Sequence, residues 1–132
     1  MDHVALLEIA EQAREHAYAP YSGFTVGAAL LALDGSVSTG CNIESSVFSP
    51  SICAERVALS KAISEGIHGF AAIAIVGAPT DQAPTEACYP CGVCRQVLSE
   101  HVEMDKFEVI VRDGDEVKVC TLADLLPKAF VL

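Results

Sequence analysis

Residues 70–78 read FAAIAIVGA, nine positions with no charge and no polar side chain. A membrane-spanning helix needs about 20 consecutive apolar residues, roughly twice what this run offers. A strand covered on both faces needs no more than a run of this length. Residues 70–78 are therefore read as a central strand with a layer packed on each side. The neighbouring segments have to supply those layers.

Immediately upstream, CAERVALSKAISEG (53–66) reads as a helix that stops at Gly66. Before it come FTVGAALLAL (24–33), an Asp34-Gly35 turn and SVSTGCNI (36–43), a pair of strands joined by a tight turn. Residues 2–17 space Val4, Leu7, Ile9, Ala10 and Ala13 as an amphipathic helix. Downstream, a Pro- and Thr-rich loop (78–90) leads to CGVCRQVLSEH (91–101), a short helix opening after Pro90. FEVIVRD (107–113) and EVKVCTL (116–122) flank Asp113-Gly114-Asp115, a connection that suits only an antiparallel pair. LADLLP (122–127) forms a brief last helix, and AFVL ends the chain. The order α-β-β-α-β-α-β-β-α implies a three-layer α/β/α sandwich with one mixed five-stranded sheet, as a single domain over residues 1–132.

Composition narrows the function. The chain is 52% hydrophobic with a mean hydropathy of +0.39, high for a soluble domain of 132 residues. With no run long enough to span a membrane, association with further copies of itself is the better account. Residues 1–16 mix acids and bases and show no export signal, so a cytoplasmic location is expected. The net charge of −10 and the scattered basic residues argue against a nucleic-acid ligand, whose phosphates demand clustered cations. A small substrate with little negative charge fits better.

Six cysteines stand at 41, 53, 88, 91, 94 and 120. A disulfide scaffold suits small secreted chains without a core, which this is not. Metal is the better reading. Cys53 opens one helix, and Cys91 and Cys94 open another, where free N–H groups and the helix dipole favour thiolates. The overlapping pair Cys88/Cys91 is the rival register, but Cys88 lies before Pro90 in extended chain. Three thiolates leave the fourth tetrahedral position of a zinc ion open for water, the mark of a catalytic site; recruiting Cys88 would close it into a non-catalytic four-cysteine site. Glu55, two residues after Cys53, reads either as an acid favoured by the helix dipole or as a proton shuttle beside the metal.

Cys53-Ala54-Glu55 followed by Pro90-Cys91-Gly92-Val93-Cys94 matches the zinc deaminase signature in its all-cysteine form. With AYAPYSGFTVGAAL, GCNIESS, CAERVALSKA, PCGVCRQVLSE and LLPKAF, the chain resembles the cytidine deaminase family over nearly its whole length, in particular its short homotetrameric branch. The resemblance implies a zinc-dependent hydrolase of pyrimidine salvage that converts cytidine and deoxycytidine to uridine and deoxyuridine with release of ammonia. It implies one Zn²⁺ per subunit held by Cys53, Cys91 and Cys94, with Glu55 as the acid/base. It further implies Phe24 as a wall of the pyrimidine pocket, Asn42 and Glu44 as partners of the ribose hydroxyls, and a backbone contact from Ala54 to the base. Arg56 is implied as the cation that hydrogen-bonds the thiolates, and Phe130 as a side chain reaching a neighbouring subunit's pocket.

On the residues alone Phe24 reads as core, Asn42 as a turn residue, Glu44 as a loop charge, Arg56 as a solvated helix arginine and Phe130 as a tail anchor. Ser45, Phe48 and Tyr89 depart from the commoner family pattern, which bears on substrate detail; a related aminated nucleoside or nucleoside antibiotic is the alternative substrate. A carboxylate at Glu44 beside the sugar disfavours a nucleotide phosphate.

Overall fold

In the computed structural model, which describes residues 1–132, β3 (Phe70–Pro79) runs through the middle of a five-stranded sheet. Its side chains alternate between two cores. Ile73 and Ile75 enter one, while Ala72, Ala74 and Val76 enter the other. The uncharged run is thus a strand buried on both faces, as its sequence requires.

β1 (Phe24–Ala32) pairs antiparallel with β3 along its whole length, and β2 (Val37–Cys41) pairs antiparallel with β1. On the other side β4 (Glu108–Asp113) lies parallel to β3, and β5 (Glu116–Thr121) closes the sheet antiparallel to β4. The order β2-β1-β3-β4-β5 is the mixed sheet expected. The one parallel pair needs a crossover, and α3 (Gly92–Ser99) provides it.

α1 (His3–Arg14) covers one face through Leu6, Leu7 and Ala10. α2 (Ala54–Ser64), α3 and the short α4 (Leu122–Leu125) cover the other through Ala54, Ala58, Leu59, Leu98 and Leu122. The helices are shorter than their sequence spans because the terminal residues act as caps. Asp2 accepts the Ala5 N–H at 2.7 Å ahead of α1, and Cys53 and Cys91 each occupy the extended position before a first turn. No helix is long and apolar enough to cross a membrane.

Two glycines set the distance between layers. A Cβ on Gly27 would lie 2.0 Å from the Ala10 carbonyl oxygen, so α1 rests directly on β1. A Cβ on Gly40 would lie 2.2 Å from the Ala54 carbonyl oxygen and 2.6 Å from the Ala58 nitrogen, so the first turns of α2 rest directly on β2. Ser38 Oγ donates to the Ala58 carbonyl at 2.7 Å and Lys61 Nζ to the Thr39 carbonyl at 2.6 Å, clamping that contact. Gly40→Ala is expected to force α2 off the sheet and to cost about 1–3 kcal/mol, the usual penalty of overpacking. Gly92→Ala, with open space around its Cβ, is expected to be neutral or to stabilise by up to about 1 kcal/mol. Urea denaturation of the two variants checks both.

Candidate active site

The seating of α2 on β2 places Cys53 at the N-cap of α2, with no side-chain capping bond of its own. The β3-to-α3 loop brings Cys91 to the N-cap of α3, where its sulfur accepts the Cys94 N–H at 3.5 Å. Cys94, in the first turn of α3, is fully buried. The three sulfurs lie within 4.8 Å of one another, and those of Cys53 and Cys91 are 3.8 Å apart. All six cysteines are free.

This donor set fits zinc. Tetrahedral Zn–S bonds of about 2.3 Å hold sulfurs about 3.8 Å apart, and thiolates are the soft ligands the ion prefers. The structure therefore selects the Cys91/Cys94 register. Cys88 is not part of the cluster, so the closed four-cysteine arrangement has no fourth sulfur to use.

The charge pattern agrees. Cys53 is held down to about 5, first by a hydrogen bond from Cys94 and then by Arg56, against the opposing cost of burial. Cys94, which shares that proton and is buried, is pushed far up. Arg56 Nη2 donates to Cys53 Sγ at 3.7 Å, and its buried Nε has no partner within the chain. Arg95, by contrast, spends its guanidinium on the carbonyls of Pro90 (2.7 Å) and Leu125 (2.9 Å), fixing α3 to its flanking segments.

Glu55 follows Cys53 into the first turn of α2 and is 4% exposed. Burial, and secondarily the neighbouring Cys53 charge, pushes its carboxyl above the ordinary glutamate range. It lines a cavity of about 180 Å³ together with Cys53, Ala54, Cys91, Asn42, Val26, Cys88 and Tyr89. The largest hollow of the chain, about 590 Å³, lies at the other end of β3 beside His68 and His101 and contains none of these groups.

Six of the ten residues singled out in the sequence meet at this cavity: Asn42, Cys53, Ala54, Glu55 and Cys91 line it, and Cys94 stands behind its sulfurs. Arg56 touches it through Cys53 Sγ. Phe24 lies in an adjoining hollow of about 250 Å³, with Cys88 as the shared wall. Glu44 is outside the cavity, its carboxylate accepting the N–H groups of Tyr21 and Ser22 at 3.0 Å each and the Ser22 hydroxyl. Phe130 is exposed and does not line this cavity, its carbonyl accepting from Gln96 Nε2 at 3.2 Å beside Met104.

Asn42 uses half of its amide on the fold. Its Oδ1 accepts the Val26 N–H at 2.8 Å and its Nδ2 donates to the Phe24 carbonyl at 2.9 Å. Cys88, outside the metal cluster and in the loop before Pro90 as the sequence implies, has a half-buried thiol, pushed up to about 11 by burial, that forms part of the cavity wall. Gly77 was the available signal. A Cβ there would lie 2.8 Å from Cys88 Sγ and 2.9 Å from the Phe24 ring, and a glycine inside a strand marks such close approach.

A metal cradle of three thiolates with a buried carboxyl against it defines a hydrolytic zinc enzyme, and the comparisons place it. Residues 1–111 match the family model described as cytidine and deoxycytidylate deaminase zinc-binding region. The cytidine deaminase of Sporosarcina psychrophila is 45% identical over 131 residues, covering 98% of this chain and 92% of the relative. That of Halalkalibacterium halodurans is 45% identical over 130 residues, covering 98% and 95%. The crystal structure of cytidine deaminase from Burkholderia pseudomallei superposes with a TM-score of 0.87 at 45% identity, covering 98% of this chain and all (100%) of that one. The chain belongs to the cytidine deaminase family, the zinc-binding hydrolytic deaminases.

The thiol chemistry is open to direct test. In metal-free protein at pH 7, Cys53 is expected to be the more ionised thiol, its pKa held down, and Cys88 to stay protonated, its pKa raised by burial. Iodoacetamide labelling read by peptide mass spectrometry is expected to modify Cys53 well before Cys88. Zinc is expected to protect Cys53, and Arg56→Gln to move the onset of its labelling to higher pH.

Proposed function

We propose that this chain hydrolyses cytidine and deoxycytidine to uridine and deoxyuridine, one water entering at C4 of the pyrimidine and one ammonia leaving. The observation that carries the reading is the buried Glu55 carboxyl, raised above its ordinary range and sharing one small cavity with Cys53 and Cys91. Cys53, Cys91 and Cys94 would hold the zinc, which supplies Lewis-acid activation of water.

Glu55 carries the protons. As a carboxylate it accepts one from the attacking water and delivers it to N3; it then takes the remaining proton of the added hydroxyl as the C4 carbonyl forms and gives it to the amine, which leaves as ammonia. A carboxyl raised by burial exchanges protons closer to neutrality than an ordinary exposed glutamate does. Arg56 spreads the negative charge of the thiolates, Ala54 offers the base a backbone contact, and Val26 gives it an apolar seat.

Asn42 and Glu44 supply the sugar selectivity, and their unspent hydrogen-bonding capacity supports it. Asn42 retains one amide N–H and one lone pair after its bonds to β1. Glu44 has three of roughly four acceptor sites filled. One donor on Asn42 and one acceptor on Glu44 are what a single hydroxyl group requires.

The working unit is proposed to be a cytoplasmic homotetramer in which Phe130 reaches a neighbouring subunit's pocket. Phe130, Val131 and Leu132 form an apolar tail with nothing to cover it within one copy. Sedimentation velocity is expected to give a mass of four times 13.9 kDa, and Phe130→Ala to lower kcat/KM.

Loss of cytidine absorbance, with ammonia and zinc measured on the same sample, tests the function. Glu55→Gln is expected to retain one zinc and lose turnover by about 10²–10⁴-fold, since an amide cannot shuttle the proton. A Glu55→Gln enzyme of near-normal rate would remove the mechanism.

A further inference from the structure

β1 and β2 stop exchanging regular ladder pairs at Gly27↔Cys41. Beyond that point the chain after β2 swings away, and Ile43 bridges Tyr18 and Ile52 instead of β1. Side chains continue the connection. Asn42 takes the backbone of Val26 and Phe24, and Glu44 takes that of Tyr21 and Ser22.

Ser22 is the hub of this extension. Its Oγ accepts the Phe24 N–H at 3.0 Å and donates its only hydroxyl proton to Glu44 Oε2, while its own N–H donates to Glu44 Oε1 at 3.0 Å. One exposed residue therefore grips both oxygens of the Glu44 carboxylate and ties them to the backbone that carries Phe24.

The geometry points to Ser22 as a positioning residue that fixes the Glu44 carboxylate for a single sugar hydroxyl. The inference rests on the sugar-binding reading of Glu44 given above. An exposed glutamate has three rotatable bonds, and a free carboxylate swings through many orientations in water. Donors on both of its oxygens select one orientation before substrate arrives, so ordering it costs less at the moment of binding. They also hold it ionised, as the lowered titration of Glu44, led by the Ser22 hydroxyl, indicates. A group fixed in this way recognises a hydroxyl by its acceptor lone pair and not by charge alone.

The test compares zinc-loaded enzymes on cytidine and on 2′,3′-dideoxycytidine, which lacks both ring hydroxyls. Ser22→Ala is expected to raise KM for cytidine about tenfold, the worth of one hydrogen bond to a charged group, with a much smaller change in kcat. KM for the dideoxynucleoside is expected to move less than about twofold, because that substrate offers Glu44 nothing. Ser22→Thr, which keeps the hydroxyl, is expected to restore the cytidine value. Glu44→Gln serves as the reference for loss of discrimination.

If Glu44→Gln loses discrimination and Ser22→Ala does not, the positioning role is overturned and the reading of Glu44 stands. Equal KM increases on both substrates with Ser22→Ala would reduce Ser22 to a turn staple and also overturn it. Should Glu44→Gln itself discriminate like the parent enzyme, the sugar assignment of Glu44 falls and the Ser22 proposal falls with it.

Discussion

Three sulfurs within 4.8 Å of one another is an arrangement a folded chain reaches only by arranging everything around it. As thiolates they repel, and at such range in a partly buried site the repulsion is poorly screened. The fold meets this by aiming two helix N-termini at the same point. Cys53 and Cys91 occupy N-cap positions, where uncompensated N–H groups provide partial positive charge without a mobile counterion. Neither helix could be moved independently. α2 is held by contact of its backbone with Gly40, and α3 by the crossover that the parallel β3–β4 pair imposes. The position of the metal cradle is thus a consequence of sheet order and of one missing Cβ.

The same burial that concentrates negative charge at the sulfurs lifts the Glu55 carboxyl. These are linked effects of one environment. A glutamate in the first turn of an exposed helix would be stabilised as the anion by the helix dipole. Here desolvation and the adjacent Cys53 charge outweigh that contribution. Arg56 limits the effect by drawing charge off Cys53. Moving Glu55 one residue along α2 would turn it by about 100° away from the cavity, since a helix has 3.6 residues per turn. The two-residue spacing from Cys53 is therefore a geometric requirement as well as a sequence motif.

Most of this was legible in the sequence because its signals are local. An uncharged run of nine residues identifies a strand buried on both faces, and Pro90 ahead of Cys91 chooses between two overlapping cysteine pairs. What was not legible depends on partners far apart in the chain. Asn42 shows no local sign that half of its amide is spent on Phe24 and Val26. Cys88 lies in a loop as read, but its place in the cavity wall depends on close approach to Gly77 and Phe24, residues 11 and 64 positions away by numbering. The Ser22–Glu44 contact joins two segments that each read as irregular chain. Backbone periodicity reports elements, whereas pocket walls are assembled from the ends of elements, where periodicity has stopped.

That distinction also bears on enclosure. The cavity at Glu55 holds about 180 Å³, below the roughly 300 Å³ at which ligand pockets usually begin. It matches the scale of a base more nearly than that of a whole nucleoside, and Asn42 is the one proposed sugar partner on its wall. Phe24 lies just beyond, in the adjoining hollow, on a surface that one chain leaves open to water, and Glu44 is outside the cavity as well. Proton transfer by a buried carboxyl is efficient only where bulk water cannot compete for the proton. The reaction proposed for Glu55 would therefore favour a mouth that closes once substrate is bound. The chain carries an apolar tail ending in Phe130-Val131-Leu132 that its own core does not use. An exposed apolar tail that does not line its own chain's cavity is free to cover another's, and the homotetramer proposed above would supply both the enclosure and the cover.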